Sequence, residues 1–113
     1  GLEAANGLRA RGMDVTVVHL MPTLMERQLD DTAGRLLQAS LAARGIRFVL
    51  PATTRALLGD TAGHVAAVEL ADGSRLPARL VVMAVGIRPD IALAQAAGLQ
   101  CRRGILVDDT LQT

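Results

Sequence analysis

One short pattern occurs twice in this chain and constrains its fold more than any other feature. Ala10–Val15 (ARGMDV) and Ala43–Phe48 (ARGIRF) each read as the end of a helix, a glycine and the start of an apolar strand. Glycine follows helices because it adopts the positive φ that closes the last turn. Two helix-to-strand returns in succession predict parallel strands joined by right-handed crossovers.

Periodicity and composition extend this pattern into a first set of predicted elements. Half of the residues are hydrophobic and only one, Phe48, is aromatic, so the core is built from small aliphatic side chains, as is typical of parallel sheets. Asp30 or Asp31 is the expected N-cap of the second helix. The predicted elements are a helix over Leu2–Arg11, a strand over Val15–His19, a loop over Leu20–Leu29, a helix from Asp30 or Asp31 to Arg44 and a strand over Arg47–Leu50.

The pattern changes after residue 50, where the extended pieces are too close together for another crossover helix. Asp72-Gly73 favours a tight hairpin turn in which both residues tolerate positive φ. The predicted elements are an antiparallel meander over Thr53–Leu58, Val65–Leu70 and Ser74–Pro77, a central strand over Leu80–Ala84, a helix over Ile91–Ala97 ended by Gly98, and a last strand over Ile105–Val107. We therefore predict one Rossmann-like three-layer α/β domain over residues 1–113, with a parallel sheet and an antiparallel β-meander.

The bulk properties exclude several classes of function. Twelve basic and eleven acidic residues give a net charge of +1, which favours neither nucleic acid nor an anionic membrane as a partner. The single cysteine, Cys101, excludes an internal disulfide, a C-x-x-C pair and a cysteine-ligated cluster within this chain. No apolar run reaches the roughly 18 residues of a membrane span, and no cluster has metal-ligand spacing. We expect a reducing, cytoplasmic setting.

The first candidate site is Gly1-Leu2-Glu3, directly before the first helix. In a dinucleotide-binding βαβ unit, the last glycine of G-x-G-x-x-G opens a helix whose first amides face the pyrophosphate. Gly1 fits that position, so we expect the chain to begin inside such a fingerprint, with the first strand of the sheet missing. An ordinary helix start with an exposed Glu3 explains the same residues.

His19 and Gly86 are two further candidates. His19 ends a strand at the place where an acidic residue commonly binds the adenosine ribose, and no arginine pair follows it to hold a 2′-phosphate. This favours NADH without deciding against NADPH, and a partly buried histidine with no ligand is the alternative. Gly86 lies where a predicted strand enters a loop, which indicates either a cofactor contact or a plain strand-to-helix turn before Pro89. Met21–Arg27 is either one wall of an adenosine site or a solvated loop.

The order of these pieces resembles a known family over nearly the whole chain. The segments that carry the likeness are Gly1–Ala5, Val15–His19, Asp72-Gly73 and Val81–Asp90. They are similar to the NAD(P)H-binding domain of the FAD-dependent pyridine nucleotide-disulfide oxidoreductases. Within that family, His19–Asp30 resembles the large subunit of assimilatory NAD(P)H nitrite reductases.

The resemblance implies a role for each candidate residue. Gly1 matches the last fingerprint glycine, Glu3 a glutamate near the nicotinamide carboxamide and flavin edge, and Gly86 the glycine of a second nucleotide-contacting loop. His19 stands where NADH enzymes of the family commonly have an acid. The implied whole enzyme passes a hydride from NADH to FAD and then single electrons through an iron–sulfur cluster to sirohaem, reducing nitrite to ammonium. The implied partners are NAD(P)H and an FAD-binding domain of the same parent chain, and we expect no catalytic residue here.

Two other interpretations remain open from the sequence. One is a non-catalytic nucleotide-binding or regulatory module of the same fold. The other is a piece that binds nothing, because the missing strand is central in the usual 3-2-1-4 order and leaves Val15–His19 and Leu80–Ala84 without a neighbour. Unpaired strand edges attract partners, so we expect self-association or an inserted segment there, weak pyrophosphate binding, and no activity from the chain alone.

Overall fold

The structure is a computed structural model that describes residues 1–113 and forms two compact units, Gly1–Met83 and Ala84–Thr113. The elements in chain order are α1 (Leu2–Ala10), β1 (Val15–Val18), α2 (Asp31–Ala43), β2 (Ile46–Val49), β3 (Thr54–Gly59), β4 (Val65–Leu70), β5 (Arg75–Pro77) and α3 (Ala92–Ala96). The fold is mixed α/β with one parallel and one antiparallel sheet, as the sequence predicts. The longest helix, α2, has 13 residues, and no helix is long and apolar enough to cross a bilayer.

The repeated helix–glycine–strand pattern forms the parallel half of the first unit. Strands β1 and β2 pair in parallel from Val15 opposite Ile46 to Val18 opposite Val49, while α1 packs against both strands and α2 against β2. Gly12 and Gly45 follow the two helices at φ +82° and +87°, where a side chain would be strained. The predicted parallel pairing of strands joined through a helix is therefore confirmed.

A small aliphatic core lies between the helices and the parallel strands. Ile46 at the start of β2 is only 2% exposed. The buried members of the core are Ala5, Val15, Leu24, Leu41 and Ile46, and the partly buried side chains around them are Leu2, Leu8, Val17, Leu37, Phe48 and Leu50. At about 25 cal/mol per Å² of apolar surface, burial of these side chains is the main stabilising contribution in the unit.

The segment between β1 and α2 is packed more tightly than a solvated loop. Leu24 is 3% exposed and Thr23 6% exposed. A Cβ atom at Gly34 of α2 would lie 2.9 Å from the Leu24 carbonyl oxygen, so glycine allows this close approach. The solvated-loop interpretation of Met21–Arg27 is therefore wrong for Thr23 and Leu24, because a helix glycine leaves room for the loop backbone to enter the core.

The second α-helix begins as the sequence predicts. The carboxylate of Asp30 accepts a hydrogen bond from the Ala33 amide at 2.8 Å, which makes Asp30 the N-cap. Thr23 Oγ1 donates to Asp31 Oδ1 at 3.4 Å and ties the preceding loop to the first turn.

The meander is confirmed, with β4 between β3 and β5 in an antiparallel sheet. The Gly73 amide donates to the Leu70 carbonyl at 3.0 Å and the Leu70 amide to the Ser74 carbonyl at 2.9 Å. Leu70 and Ser74 therefore pair, and of the three residues between them only Gly73 has positive φ. The tight turn predicted at Asp72-Gly73 is therefore confirmed. Both residues tolerate positive φ, and this loop uses the left-handed conformation only at its last position, Gly73.

The second unit contains one short helix and little else that is regular. Helix α3 ends before Gly98, at φ +78°, as predicted. The predicted strand at Ile105–Val107 is wrong, because the only pairing there is a single bridge between Cys101 and Ile105.

The predicted strand at Leu80–Ala84, which extends across the boundary between the two units, is also wrong. These residues form neither helix nor strand, and neither sheet includes them. The physical reason is that a strand requires a neighbouring backbone for its hydrogen bonds, and no strand of this chain pairs with this segment.

Candidate functional site

The carboxyl end of β1 is fixed by hydrogen bonds from both sides of His19. The His19 amide donates to the Val49 carbonyl at 3.1 Å, and the Ala52 amide donates to the His19 carbonyl at 2.8 Å. The parallel pairing thus continues one residue past each strand. In open α/β sheets, ligands bind outside the carboxyl ends of the strands, so His19 stands at the favoured edge.

The structure adds a residue that the sequence analysis did not single out, Glu26. His19 Nε2 lies 3.3 Å from Glu26 Oε2, and the two side chains are 31% and 33% exposed. Glu26 is the only acidic residue between the end of β1 and Asp30. This lone acidic residue was the only sign of Glu26 in the sequence. No periodic pattern predicts that a loop residue lies beside a strand end seven positions earlier in the chain.

Hydrogen bonds and positive charge keep the Glu26 carboxyl ionised. The hydrogen bond of its own backbone amide is the largest cause that lowers its pKa below the ordinary value of 4.5, and desolvation opposes it in part. The hydrogen bond and charge of His19 and the charge of Arg27 lower the pKa further. The end of β1 therefore presents a half-exposed carboxylate at neutral pH.

The backbone around Glu26 is held in a defined shape. Met25 has φ +55°, and its carbonyl accepts hydrogen bonds from the amides of Gln28 and Leu29, both at 2.9 Å. A left-handed conformation costs a non-glycine residue roughly 1–2 kcal/mol. The neighbouring Leu24 is buried in the core, which anchors this turn next to the carboxylate.

The start of α1 carries two predicted site residues. Gly1 is the N-cap, has no side-chain cap, and its carbonyl accepts from the Ala5 amide at 3.0 Å. Glu3 lies exposed in the first turn. The first amides of α1 have no capping side chain, and a helix start favours anions through these donors and the macrodipole. The hydrogen bonds of His19 do not involve Gly1 or Glu3, so the structure forms no direct link between these residues and the His19–Glu26 pair.

Gly86 lies in the second unit, in the irregular segment before α3. Its φ is +86°, and no atom lies within 4 Å of the position that a Cβ would take. Glycine suits this position, because a side chain would be strained at this φ even with open space around it. Its role toward a nucleotide stays a prediction.

Two surface grooves lie in the first unit. The smaller, of about 310 Å³, is lined by Leu20, next to His19, together with residues that follow β2 and residues of the meander. The larger, of about 630 Å³, is lined by meander residues that include Asp60 and His64 and contains none of the predicted site residues. The smaller groove therefore adjoins the edge at which His19 and Glu26 meet.

Known proteins match this chain over its full length. The family model described as pyridine nucleotide-disulphide oxidoreductase matches residues 1–113. The chain is 52% identical to a nitrite reductase [NAD(P)H] and 47% identical to an assimilatory nitrate reductase electron transfer subunit, both from Bacillus subtilis (strain 168). Each of these alignments covers 100% of this chain and 14% of the relative.

A solved structure also superimposes closely on this chain. The crystal structure of a ferredoxin reductase from Rhodopseudomonas palustris superimposes with a TM-score of 0.91 at 35% identity, covering 97% of this chain and 27% of that protein. The sequence resemblance to this family, and within it to nitrite reductases, is thereby confirmed. This chain belongs to the pyridine nucleotide-disulphide oxidoreductase family.

Proposed function

We propose that this chain is the NADH-binding part of a larger flavoprotein, the large subunit of a nitrite reductase that converts nitrite to ammonium. The observation that carries the proposal is the 52% identity to a nitrite reductase [NAD(P)H] over all 113 residues. The chain spans 14% of that relative, so the activity proposed here is that of a whole enzyme in which this part receives the nucleotide. A cytoplasmic location belongs to the same proposal.

The proposed binding mode uses the residues at the exposed ends of α1 and β1. Gly1 and the uncapped amides that follow it bind the pyrophosphate, Glu3 lies near the nicotinamide carboxamide, and His19 lies at the adenosine ribose. Gly86 belongs to a second loop that contacts the nucleotide. The feature that supports this assignment is the fixed backbone of His19 at the end of a parallel strand.

The contribution of this chain to the reaction is orientation. FAD held by the parent enzyme would supply the acceptor for the hydride of NADH and would release electrons singly. Residues of this chain hold the adenosine and pyrophosphate, and a fixed nucleotide brings its nicotinamide to the acceptor at a high effective concentration. With Cys101 as its single cysteine, this chain does not supply the four thiolates of an iron–sulfur cluster. Other parts of the enzyme hold that cluster and the sirohaem in this proposal.

A second candidate function concerns the electron acceptor. The 47% identity to an assimilatory nitrate reductase electron transfer subunit favours a flavoprotein that delivers electrons to another protein instead of to nitrite. Both candidates share the NADH site and differ in the acceptor that receives electrons from the flavin.

The test is an anaerobic assay of the intact flavoprotein that contains this chain, with NADH as donor and nitrite as acceptor. We expect NADH oxidation to depend on nitrite and to yield one ammonium for three NADH, since the reduction takes six electrons. Flavin reduction by NADH without ammonium would favour the electron-transfer candidate. If NADH reduces no flavin at all, the chain is a non-catalytic module and both candidates fail.

A further inference from the structure

Glu26 and His19 meet at the strand end where the proposed function places the adenosine ribose. We propose that Glu26, positioned by His19, supplies the carboxylate that accepts hydrogen bonds from the ribose hydroxyls and makes the site prefer NADH to NADPH. This inference rests on the proposed function and names the residue that selects its nucleotide.

The chemistry of ribose recognition calls for a carboxylate at this place. Two neighbouring hydroxyls donate two hydrogen bonds, and an ionised carboxylate has about four acceptor sites on its two oxygens, so it can accept both while it keeps the His19 contact. A neutral imidazole has one acceptor nitrogen, and a protonated one has none, so His19 alone does not replace the acid commonly found there. The loop after β1 returns a carboxylate to the same point, 3.3 Å from the His19 ring.

The geometry leaves Glu26 available to a ligand while restricting its motion. Only Oε2 lies within hydrogen-bond distance of His19, and one-third of the side chain is exposed. The turn that carries Glu26 is closed by two amides on the Met25 carbonyl and lies next to the buried Leu24. His19 itself is tied to Val49 and Ala52, so the pair has a fixed place relative to the parallel strands.

The charge arrangement favours the nucleotide without a 2′-phosphate. An ionised carboxylate repels a phosphate that would occupy the position of the 2′-hydroxyl. His19 and Arg27 both act on the Glu26 carboxyl and favour its ionised form. Removal of its charge therefore weakens binding of the ribose hydroxyls and removes the repulsion of a 2′-phosphate.

The test compares the affinities of the intact flavoprotein for NAD⁺ and NADP⁺, which share the adenosine half of the reduced nucleotides and transfer no hydride. Calorimetry measures both Kd values in the unchanged protein and in Glu26→Gln. We expect the substitution to weaken NAD⁺ about tenfold, since hydrogen bonds to charged groups are the strong ones, and to leave NADP⁺ equal or tighter. The NAD⁺ preference then falls by at least about tenfold.

A similar pair in the meander provides the control. His64 Nδ1 lies 3.7 Å from Asp60 Oδ2, and His64 is exposed. Asp60→Asn and His64→Ala change the same residue types away from the end of β1, and we expect neither to alter the ratio of the two Kd values. Glu26→Asp keeps the charge and should retain a preference for NAD⁺, which separates loss of charge from disturbance of the loop.

The positioning role of His19 has its own readout. His19→Ala leaves Glu26 without its partner and should lower the NAD⁺ preference a few-fold. His19→Gln restores an N–H donor of similar reach and should recover most of that preference. Equal effects of Ala and Gln would overturn the positioning role.

The possible results separate the inference from the function on which it rests. If the unchanged protein binds NAD⁺ and Glu26→Gln keeps the same ratio of Kd values, the inference is wrong and the proposed function stands. If the unchanged protein binds neither nucleotide, the proposed function fails and the inference fails with it. A flavin content and circular dichroism spectrum equal to those of the unchanged protein show that each variant is folded.

Discussion

The two units of this chain are similarly apolar in sequence but differ sharply in structure. Gly1–Met83 contains both sheets, two of the three helices and every buried side chain. Ala84–Thr113 contains one helix of five residues and a single bridge, and Val85 and Ile87 are both 88% exposed. Apolar residues form regular structure only where another segment supplies a packing surface and backbone hydrogen bonds.

The parallel half of the first unit illustrates what the second unit lacks. Strand β1 forms its hydrogen bonds with β2, and Ile46 is covered by the core from α1 and α2. The apolar run at Leu80–Ala84 has comparable composition, but no strand of this chain pairs with it. An apolar composition and a pairing partner are therefore separate requirements for regular structure. Substitutions at matched positions in the two units distinguish the two requirements.

The largest expected difference comes from removing the same side chain in each unit. Ile46→Ala should lower the free energy of unfolding by about 2–5 kcal/mol, because it opens a cavity in the core. Ile87→Ala should change it by no more than about 0.5 kcal/mol, since that side chain is exposed. Chemical denaturation measures both, and equal losses would mean that Ile87 is buried in solution.

Two glycines in helices of the first unit test whether the loop before α2 is packed against that helix. A Cβ at Gly34 would press on the Leu24 carbonyl oxygen at 2.9 Å, whereas one at Gly7 would meet no atom within 4 Å. Gly34→Ala should therefore destabilise the protein by about 1–3 kcal/mol through overpacking. Gly7→Ala should stabilise it by up to about 1 kcal/mol through helix propensity. Thermal unfolding shows the opposite signs; a stabilising Gly34→Ala would contradict the packed loop.

Substitutions at the starts of α2 and α3 compare the two units again, with a smaller expected change in stability. Asp30 caps the 13-residue α2 through the Ala33 amide, and Asp90 accepts from the Ala92 amide at 3.1 Å at the start of the five-residue α3. Asp30→Ala should cost about 1 kcal/mol, with Asp30→Ser close to the unchanged protein. Asp90→Ala should cost less than about 0.5 kcal/mol, because α3 buries no residue. A larger loss from Asp90→Ala in denaturant titrations would reverse the ranking of the two units.

The smallest expected effect is in the titration of one turn carboxylate from each unit. The pKa of Asp72 lies below 3.8 mainly because of the Ser74 hydroxyl, and the pKa of Asp108 lies below 3.8 mainly because of the Thr110 hydroxyl. Since folding lowers both pKa values, each turn contributes stability above the unfolded pKa of about 3.8 that is lost as the pH falls through the folded value.

Carboxyl NMR titrations of the unchanged protein, Ser74→Ala and Thr110→Ala measure this effect. We expect each substitution to raise the pKa of its own partner, Asp72 or Asp108, and to leave the other unchanged. An Asp108 that titrates at its ordinary value in the unchanged protein would show that the turn of the second unit does not form in solution.

Local signals in the sequence predicted most of the first unit. The two helix–glycine–strand returns fixed the parallel pair, Asp30 marked the start of α2, and the turn residues marked the meander. Each of these features depends on neighbours a few residues apart. The strand expected at Leu80–Ala84 depends on a distant partner, which no pattern within the segment reveals.

The residues of the candidate site also differ in whether local sequence signals point to them. His19 was assigned to the site because it ends a β-branched run, and Gly1 because it precedes an amphipathic helix; both assignments stay predictions. Glu26 was not assigned, because its position depends on the left-handed Met25, the buried Leu24 and the close approach of the loop to Gly34. These are packing features of a loop without periodicity.

In the proposed binding mode, the nucleotide lies at the carboxyl end of β1 with its ribose on Glu26. A crystal structure of the intact flavoprotein with NAD⁺ bound tests it most directly. We predict a ribose hydroxyl about 2.5–3.0 Å from a Glu26 carboxylate oxygen, with the His19 contact to the other oxygen preserved. A nucleotide whose ribose lies on another element, with Glu26 facing solvent, would show that this binding mode is wrong.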